Sequence, residues 1–194
     1  KQQSFRRLLV APVTLRKGME SLILREIEHA REGRGGHIRA KMNALVDPAI
    51  ISLLYEASQV GVRIELIIRG MCCLYPGRKG FSENISVISI IGRFLEHSRI
   101  FWFANDNNPE VYIGSADLMP RNLDRRVEAV TPIEEPEQKE HLERLLNLYL
   151  NDNREAWEMQ SDGSFLQRQP NPNSEEHRAQ QQLINLWQQG IPAG

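Results

Sequence analysis

The 194-residue sequence lacks most of what would place a protein in or beyond a membrane. No stretch approaches the roughly 20 apolar residues that a helical bilayer span needs, which excludes a membrane-spanning role by helices. Cysteine is almost absent: Cys72 and Cys73 are adjacent, cannot form an ordinary structural staple, and point to a reducing, cytoplasmic setting. They lack a His or Asp at motif spacing and read as packing residues rather than nucleophiles. The N-terminal Lys1-Gln2-Gln3-Ser4 has neither an initiator Met nor an apolar signal core, so a piece of a longer protein is expected. No excess of charge exists either: 24 Lys and Arg face 25 Asp and Glu, so bulk charge does not mark a polyanion binder. No spacing of His, Cys, Asp and Glu suggests a metal cluster, and no internal repeat is visible.

What is present is a rhythm of alternating elements. Met19, Leu22, Ile23 and Ile27 carry helical spacing, and the glycines at 33, 35 and 36 end that helix. His37 to Met42 alternates as a strand. Asp47-Pro48 starts a second helix, which runs to Gly61, and Val62 to Ile68 reads as a buried strand. Further strands are predicted at Ser86–Ile91, Arg99–Ala104, Val111–Gly114 and Val127–Thr131, with a helix over Glu137–Leu150. Helix and strand in alternation imply an α/β sheet with crossovers. The expected organisation is a domain over 1–152, a polar linker over 153–173 and a C-terminal helix and tail over 174–194.

Charge is unevenly placed. Basic residues gather between Arg63 and Arg99 and again at Arg121, Arg125 and Arg126, whereas acidic residues concentrate between Glu134 and Glu158. Convergence of the basic stretches would make a locally positive cleft at a net charge of −1. Of the five histidines, His97 is the candidate with chemistry, since it opens an apolar strand. His29 and His141 sit among charged helical residues and read as surface groups, and His37 follows a Gly-rich turn.

His97-Ser98-Arg99 followed by Gly114-Ser115-Ala116-Asp117 resembles the phospholipase D layout, in which a His begins a strand beside a Gly-Ser-x-Asn turn. Three positions depart from it: Arg99 stands where that pattern has Lys, Ala104 where it has Asp, and Asp117 where it has Asn. Four segments give a closer resemblance. They are Lys41-Met42-Asn43-Ala44-Leu45-Val46-Asp47, Arg69-Gly70-Met71-Cys72-Cys73-Leu74, Phe94-Leu95-Glu96-His97-Ser98-Arg99-Ile100, and Gly114 through Glu128. In this order they resemble the C-terminal domain of histidine-type polyphosphate kinases, over about Lys1 to Asn153.

The resemblance implies a phospholipase D-like mixed sheet flanked by helices, with C-terminal helices beyond it. It implies reversible transfer of the ATP γ-phosphate to polyphosphate through a phosphohistidine on an upstream domain. By the same resemblance His97 is the second histidine, an acid/base or phosphate-contacting group, and Arg69 is the nucleotide-phosphate arginine. Lys41 and Arg121 are further candidates for phosphate contact, although Lys41 also fits a plain outward strand position. Magnesium is expected, with its ligands largely outside this sequence. The expected partners are ATP or ADP, inorganic polyphosphate, the upstream domains and a second copy of the full-length protein, but not nucleic acid. Two other readings are a phospholipase D-type phosphodiesterase or nuclease acting as a dimer, and a non-catalytic polyanion-binding module.

Overall fold

The structure, a computed structural model, describes residues 7–190. Among these residues, one nine-stranded mixed sheet runs in the order β1 (Leu9–Ala11), β7 (Glu128–Ile133), β6 (Glu110–Gly114), β5 (Ile100–Phe103), β2 (His37–Met42), β3 (Arg63–Ile68), β4 (Ile85–Ile90), β8 (Ala156–Met159) and β9 (Phe165–Gln167). Strands β2, β3 and β4 are parallel and every other pairing is antiparallel. Helices α1 (Leu15–Arg31) and α2 (Pro48–Gln59) cover one face, while α4 (Pro136–Leu150) and α5 (Ala179–Gln188) cover the other. The short helix α3 (Pro120–Asp124) sits beside α1.

Period-two alternation sets which side chain meets which layer. Ile38, Ala40 and Met42 join the core beneath α1 and α2, with Ile64, Leu66 and Ile68 from the neighbouring strand. Ile67, Ile88, Ile100 and Trp102 pack instead against Leu146 and Tyr149 of α4. Central strands covered on both faces read as near-continuous apolar runs, which is why the sequence shows β3 and β4 so plainly. The second helix starts as its residues suggest: Asp47 accepts a hydrogen bond from the Ile50 amide at 3.1 Å, and Pro48 fills the first turn.

Several expectations need correction. Lys41 is not an outward strand residue; α4 covers the second face, and Lys41 is only 1% exposed. His29 is buried rather than on the surface, and Cys73 is exposed rather than packed. Residues expected as a polar linker contribute β8 and β9, which extend the sheet from β4. Buried Asp152 makes that extension, accepting the amides of Arg154, Glu155 and Ala156 at 2.6–2.9 Å and so turning the chain back onto the sheet. The same carboxylate accepts the Ala179 amide at 2.7 Å. The last helix therefore begins at Ala179 and not at Ser174.

At the N-terminal ends of β2 and β3, Glu65 gathers three partners. His37 Nε2 lies 2.7 Å from it, Arg39 Nε donates at 3.1 Å and Arg63 Nη2 at 2.6 Å. Burial alone would raise the Glu65 pKa, but the bonds from His37 and Arg63 hold it at about 2, against an ordinary 4.5. A depressed carboxylate stabilises the fold above its unfolded pKa, and that contribution fades as pH falls toward the folded value. Between pH 5 and pH 3 the chain should lose about 1–2 kcal/mol more unfolding free energy than its Glu65→Gln variant. Urea titrations at the two pH values measure this, and equal losses would refute it.

Candidate functional site

The parallel strands β2, β3 and β4 end along one edge of the sheet, and β5 begins there beside β2. In such sheets, crevices beyond the carboxyl ends of strands are where ligands are held. Three of the predicted site residues meet at this edge: Lys41 near the end of β2, Arg69 just past β3, and His97 in the loop that leads into β5.

Lys41 is a buried cation and needs partners on every side. Its Nζ lies 2.9 Å from Glu96 Oε2, donates to Ser98 Oγ at 2.7 Å, and sits 4.9 Å above the Tyr149 ring. Burial pushes the Lys41 pKa down, the Glu96 carboxylate opposes that, and the charges of Arg69 and Arg99 add to the lowering. Tyr149 is raised by burial and by Glu96. Glu96 and Ser98 flank His97, so the two bonds from Lys41 hold the residues on either side of the imidazole.

His97 itself is exposed. Its carbonyl accepts from Arg99 Nη1 at 3.0 Å, and that guanidinium also lies 3.2 Å from His97 Nδ1. The other arm of Arg99 reaches Asp117, with Nη2 to Oδ2 at 3.1 Å and Nε to Oδ1 at 3.3 Å. Asp117 further accepts the backbone amide of Asn43 at 2.7 Å and its side-chain amide at 3.1 Å. Burial would raise the Asp117 pKa, but the Arg99 fork and the Asn43 donors outweigh it and hold the carboxyl below its usual range. Asn122 of α3 accepts from the Asp117 amide at 3.1 Å, which fixes the turn after β6. Gly114 lets that turn pass close to β7, since a Cβ there would come within 2.4 Å of the Ala129 carbonyl.

Arg69 is half-buried, and its amide donates to the Met42 carbonyl at 3.3 Å. Among the described residues no carboxylate pairs with its guanidinium, so this edge keeps one uncommitted cation. Arg121 lies on α3, exposed, and forms no side-chain hydrogen bond or ion pair with the other three among the described residues. Asp124, its neighbour, is taken by Arg16.

Sequence reasoning missed Glu96, Tyr149 and the pairing of Arg99 with Asp117. A signal for the last was present: two of the three departures from the phospholipase D pattern, Arg99 and Asp117, are residues that bind each other. Lys and Asn there give way to Arg and Asp, which restores complementarity across the turn. Magnesium does not fit the residues at this edge. Glu96 and Asp117 each already serve a cation, and no group of three or more His, Cys, Asp or Glu among the described residues could hold a metal ion.

The edge can do two things chemically. It presents an exposed imidazole, whose ring nitrogens can donate or accept a hydrogen bond, and a planar guanidinium shaped for phosphate oxygens. Removing one member of a buried pair strands the other charge, so Asp117→Ala should destabilise the chain by about 3 kcal/mol. Urea denaturation checks this, and a loss below about 1 kcal/mol would mean that the pair matters little to the fold.

The family model for polyphosphate kinase C-terminal domain 2 matches residues 8–180. The chain is 99% identical over 193 residues to the polyphosphate kinase of Prochlorococcus marinus (strain MIT 9313), covering 100% of this chain and 27% of that protein. It is 75% identical over 192 residues to the polyphosphate kinase of Parasynechococcus marenigrum (strain WH8102), covering 99% and 27%. The chain thus spans about a quarter of the length of the curated relatives it matches. The crystal structure of polyphosphate kinase from Porphyromonas gingivalis superposes with a TM-score of 0.92 at 38% identity, covering 96% of this chain and 28% of that one. Nuc from Salmonella typhimurium, a phospholipase D family member, shares the fold with a TM-score of 0.57 at 18% identity, over 80% of this chain and 97% of that one. On the match over residues 8–180, the chain belongs to the polyphosphate kinase C-terminal domain 2 family.

Proposed function

We propose that this chain is a catalytic domain of a polyphosphate kinase that moves the terminal phosphate of ATP reversibly onto polyphosphate. The phosphohistidine of that reaction belongs to an upstream part of the same protein, and His97 works opposite it. The carrying observation is the edge where exposed His97 and Arg69, which pairs with no carboxylate among the described residues, lie at the same ends of the strands as the mutually paired Lys41, Glu96, Arg99 and Asp117. Phosphoryl transfer is chiefly positioning and charge neutralisation, and this paired set holds its carboxylates on Lys41 and Arg99 without pairing either to His97 or Arg69.

In this reading Arg69 grips a nucleotide phosphate, its fork matching two oxygens. His97 contacts the transferring phosphate or exchanges a proton with it. Lys41 acts from beneath: at 1% exposure it does not reach a polymer itself, but adds positive charge under the loop. Arg121, separate and exposed, suits a peripheral contact along polyphosphate. Magnesium would arrive on residues outside this chain or with the nucleotide. The setting is cytoplasmic, and the working unit is a homo-oligomer of the full-length protein. A phosphodiesterase reading is less well supported, because Arg99, at the position of that pattern's Lys, is bound to Asp117.

The test is ATP formation from polyphosphate, ADP and magnesium by the full-length protein. His97→Ala should lower the rate about 100-fold or more. Retention of the parent rate would sink the assignment of His97 and favour a non-catalytic polyanion-binding module. The 194-residue chain alone should show no turnover, since it supplies only one of the two histidines. Measurable ATP formation by that chain would contradict the shared-site reading.

A further inference from the structure

We infer that Gln180, from the C-terminal helix, is a positioning residue that holds the His97 loop in its working shape; this rests on the kinase reading of His97. Between Gly92 and Ser98 the chain makes no backbone–backbone hydrogen bond among the described residues. A loop of this kind would be expected to sample many conformations, since nothing in its own backbone fixes it. Gln180 supplies what the backbone lacks. Its Oε1 accepts the Phe94 amide at 2.8 Å, and its Nε2 donates to the Phe94 carbonyl at 2.8 Å. One primary amide thus pairs with both polar groups of one residue, as a neighbouring strand would.

The same Nε2 also donates to Glu96 Oε1 at 2.6 Å, while the other oxygen of Glu96 faces Lys41. Gln180 therefore governs two links in the chain that ends at the imidazole: the backbone at Phe94 and the carboxylate that orients Lys41 and, through it, Ser98. The side chain is 3% exposed, so these bonds form away from competing water. The fit is close from the loop side as well, where a Cβ on Gly92 would meet Gln180 Oε1 at 2.6 Å. Asp152 explains how a helix near the end of the chain can act so exactingly on a distant loop. It is fully buried and binds the Ala179 amide, one residue before Gln180, which anchors the first turn of α5 against the sheet.

A supporting side chain of this kind should raise the fraction of molecules with His97 in productive geometry, without touching substrate. Gln180→Met keeps the length and removes every hydrogen bond. In the full-length enzyme it should lower kcat for ATP formation about 10- to 100-fold, because small misplacements at a phosphoryl-transfer site are costly. The KM for ADP should stay within about twofold. Hydrogen exchange at the Phe94 amide, which Gln180 alone holds, should accelerate, whereas that of β2 and β3 should not. Gly92→Ala, which pushes on the clasp from the loop, should move both readings in the same direction. Gln181→Met, one position along on the exposed side of the helix, should move neither. Unchanged exchange at the Phe94 amide of a folded Gln180→Met protein, or a kcat within about twofold of the parent, would overturn the inference. If Gln180→Met fails to fold, the same two readings in Gly92→Ala decide the matter. Parent-level activity in His97→Ala would remove the kinase role of the loop, and loop exchange would still decide whether Gln180 holds it.

Discussion

A buried ammonium is the constraint around which this domain is arranged. Lys41 lies between the sheet and α4, where desolvation of an unpaired charge would be strongly unfavourable. Its position is set by alternation along β2, which sends Ala40 and Met42 to one core and Lys41 to the other. The carboxylate that answers it, Glu96, is on the loop before β5 and not on a neighbouring strand. Burying Lys41 therefore obliges that loop to fold back over the strand ends, and His97, next in sequence, is delivered to the edge of the sheet.

The second anchor of the loop is the Arg99–Asp117 pair, which ties the start of β5 to the turn after β6. With Asn43 donating twice to Asp117, three segments distant in sequence are locked at one point. The arrangement separates duties. Lys41, Glu96, Arg99 and Asp117 satisfy one another, whereas among the described residues neither His97 nor Arg69 is paired with a carboxylate. A site that must neutralise phosphate benefits from such preorganisation, since its arginine need not first be released from a carboxylate. The Glu65 cluster at the opposite edge has a different character. His37, Arg39 and Arg63 converge there on one carboxylate with Trp102 beneath Arg39, and the result serves the packing of β2 against β3.

Some elements were legible in the sequence and others were not, for reasons that differ by element. The runs at β3 and β4 announce themselves because both faces are covered, and α2 because Asp47-Pro48 is a start signal with a local mechanism. β1 has three residues and β9 three, too few for any periodicity to register. β8, Ala-Trp-Glu-Met, lies between polar segments and owes its pairing to Asp152, whose bonds no pattern of hydrophobicity encodes. Lys41 was misjudged because one strand's alternation shows that a side chain faces away from one core, but not that a second core waits on the other side. Gln180 carried no signal at all: a Gln in a Gln-rich helix is indistinguishable from its neighbours until the helix is docked.

What the sequence by itself determined is the set of elements with strong local causes, the α/β class, and the motifs that mark His97 and Arg69. These follow from forces acting within a few residues: alternation, capping, turn chemistry and the order of short segments. Only the tertiary structure decided that Lys41 is buried, that Arg99 and Asp117 answer each other, and that Asp152 and Gln180 bring the last helix onto the loop of His97. Such contacts join residues tens of positions apart, and their energies depend on the removal of water around each pair, which exists only once the layers have packed.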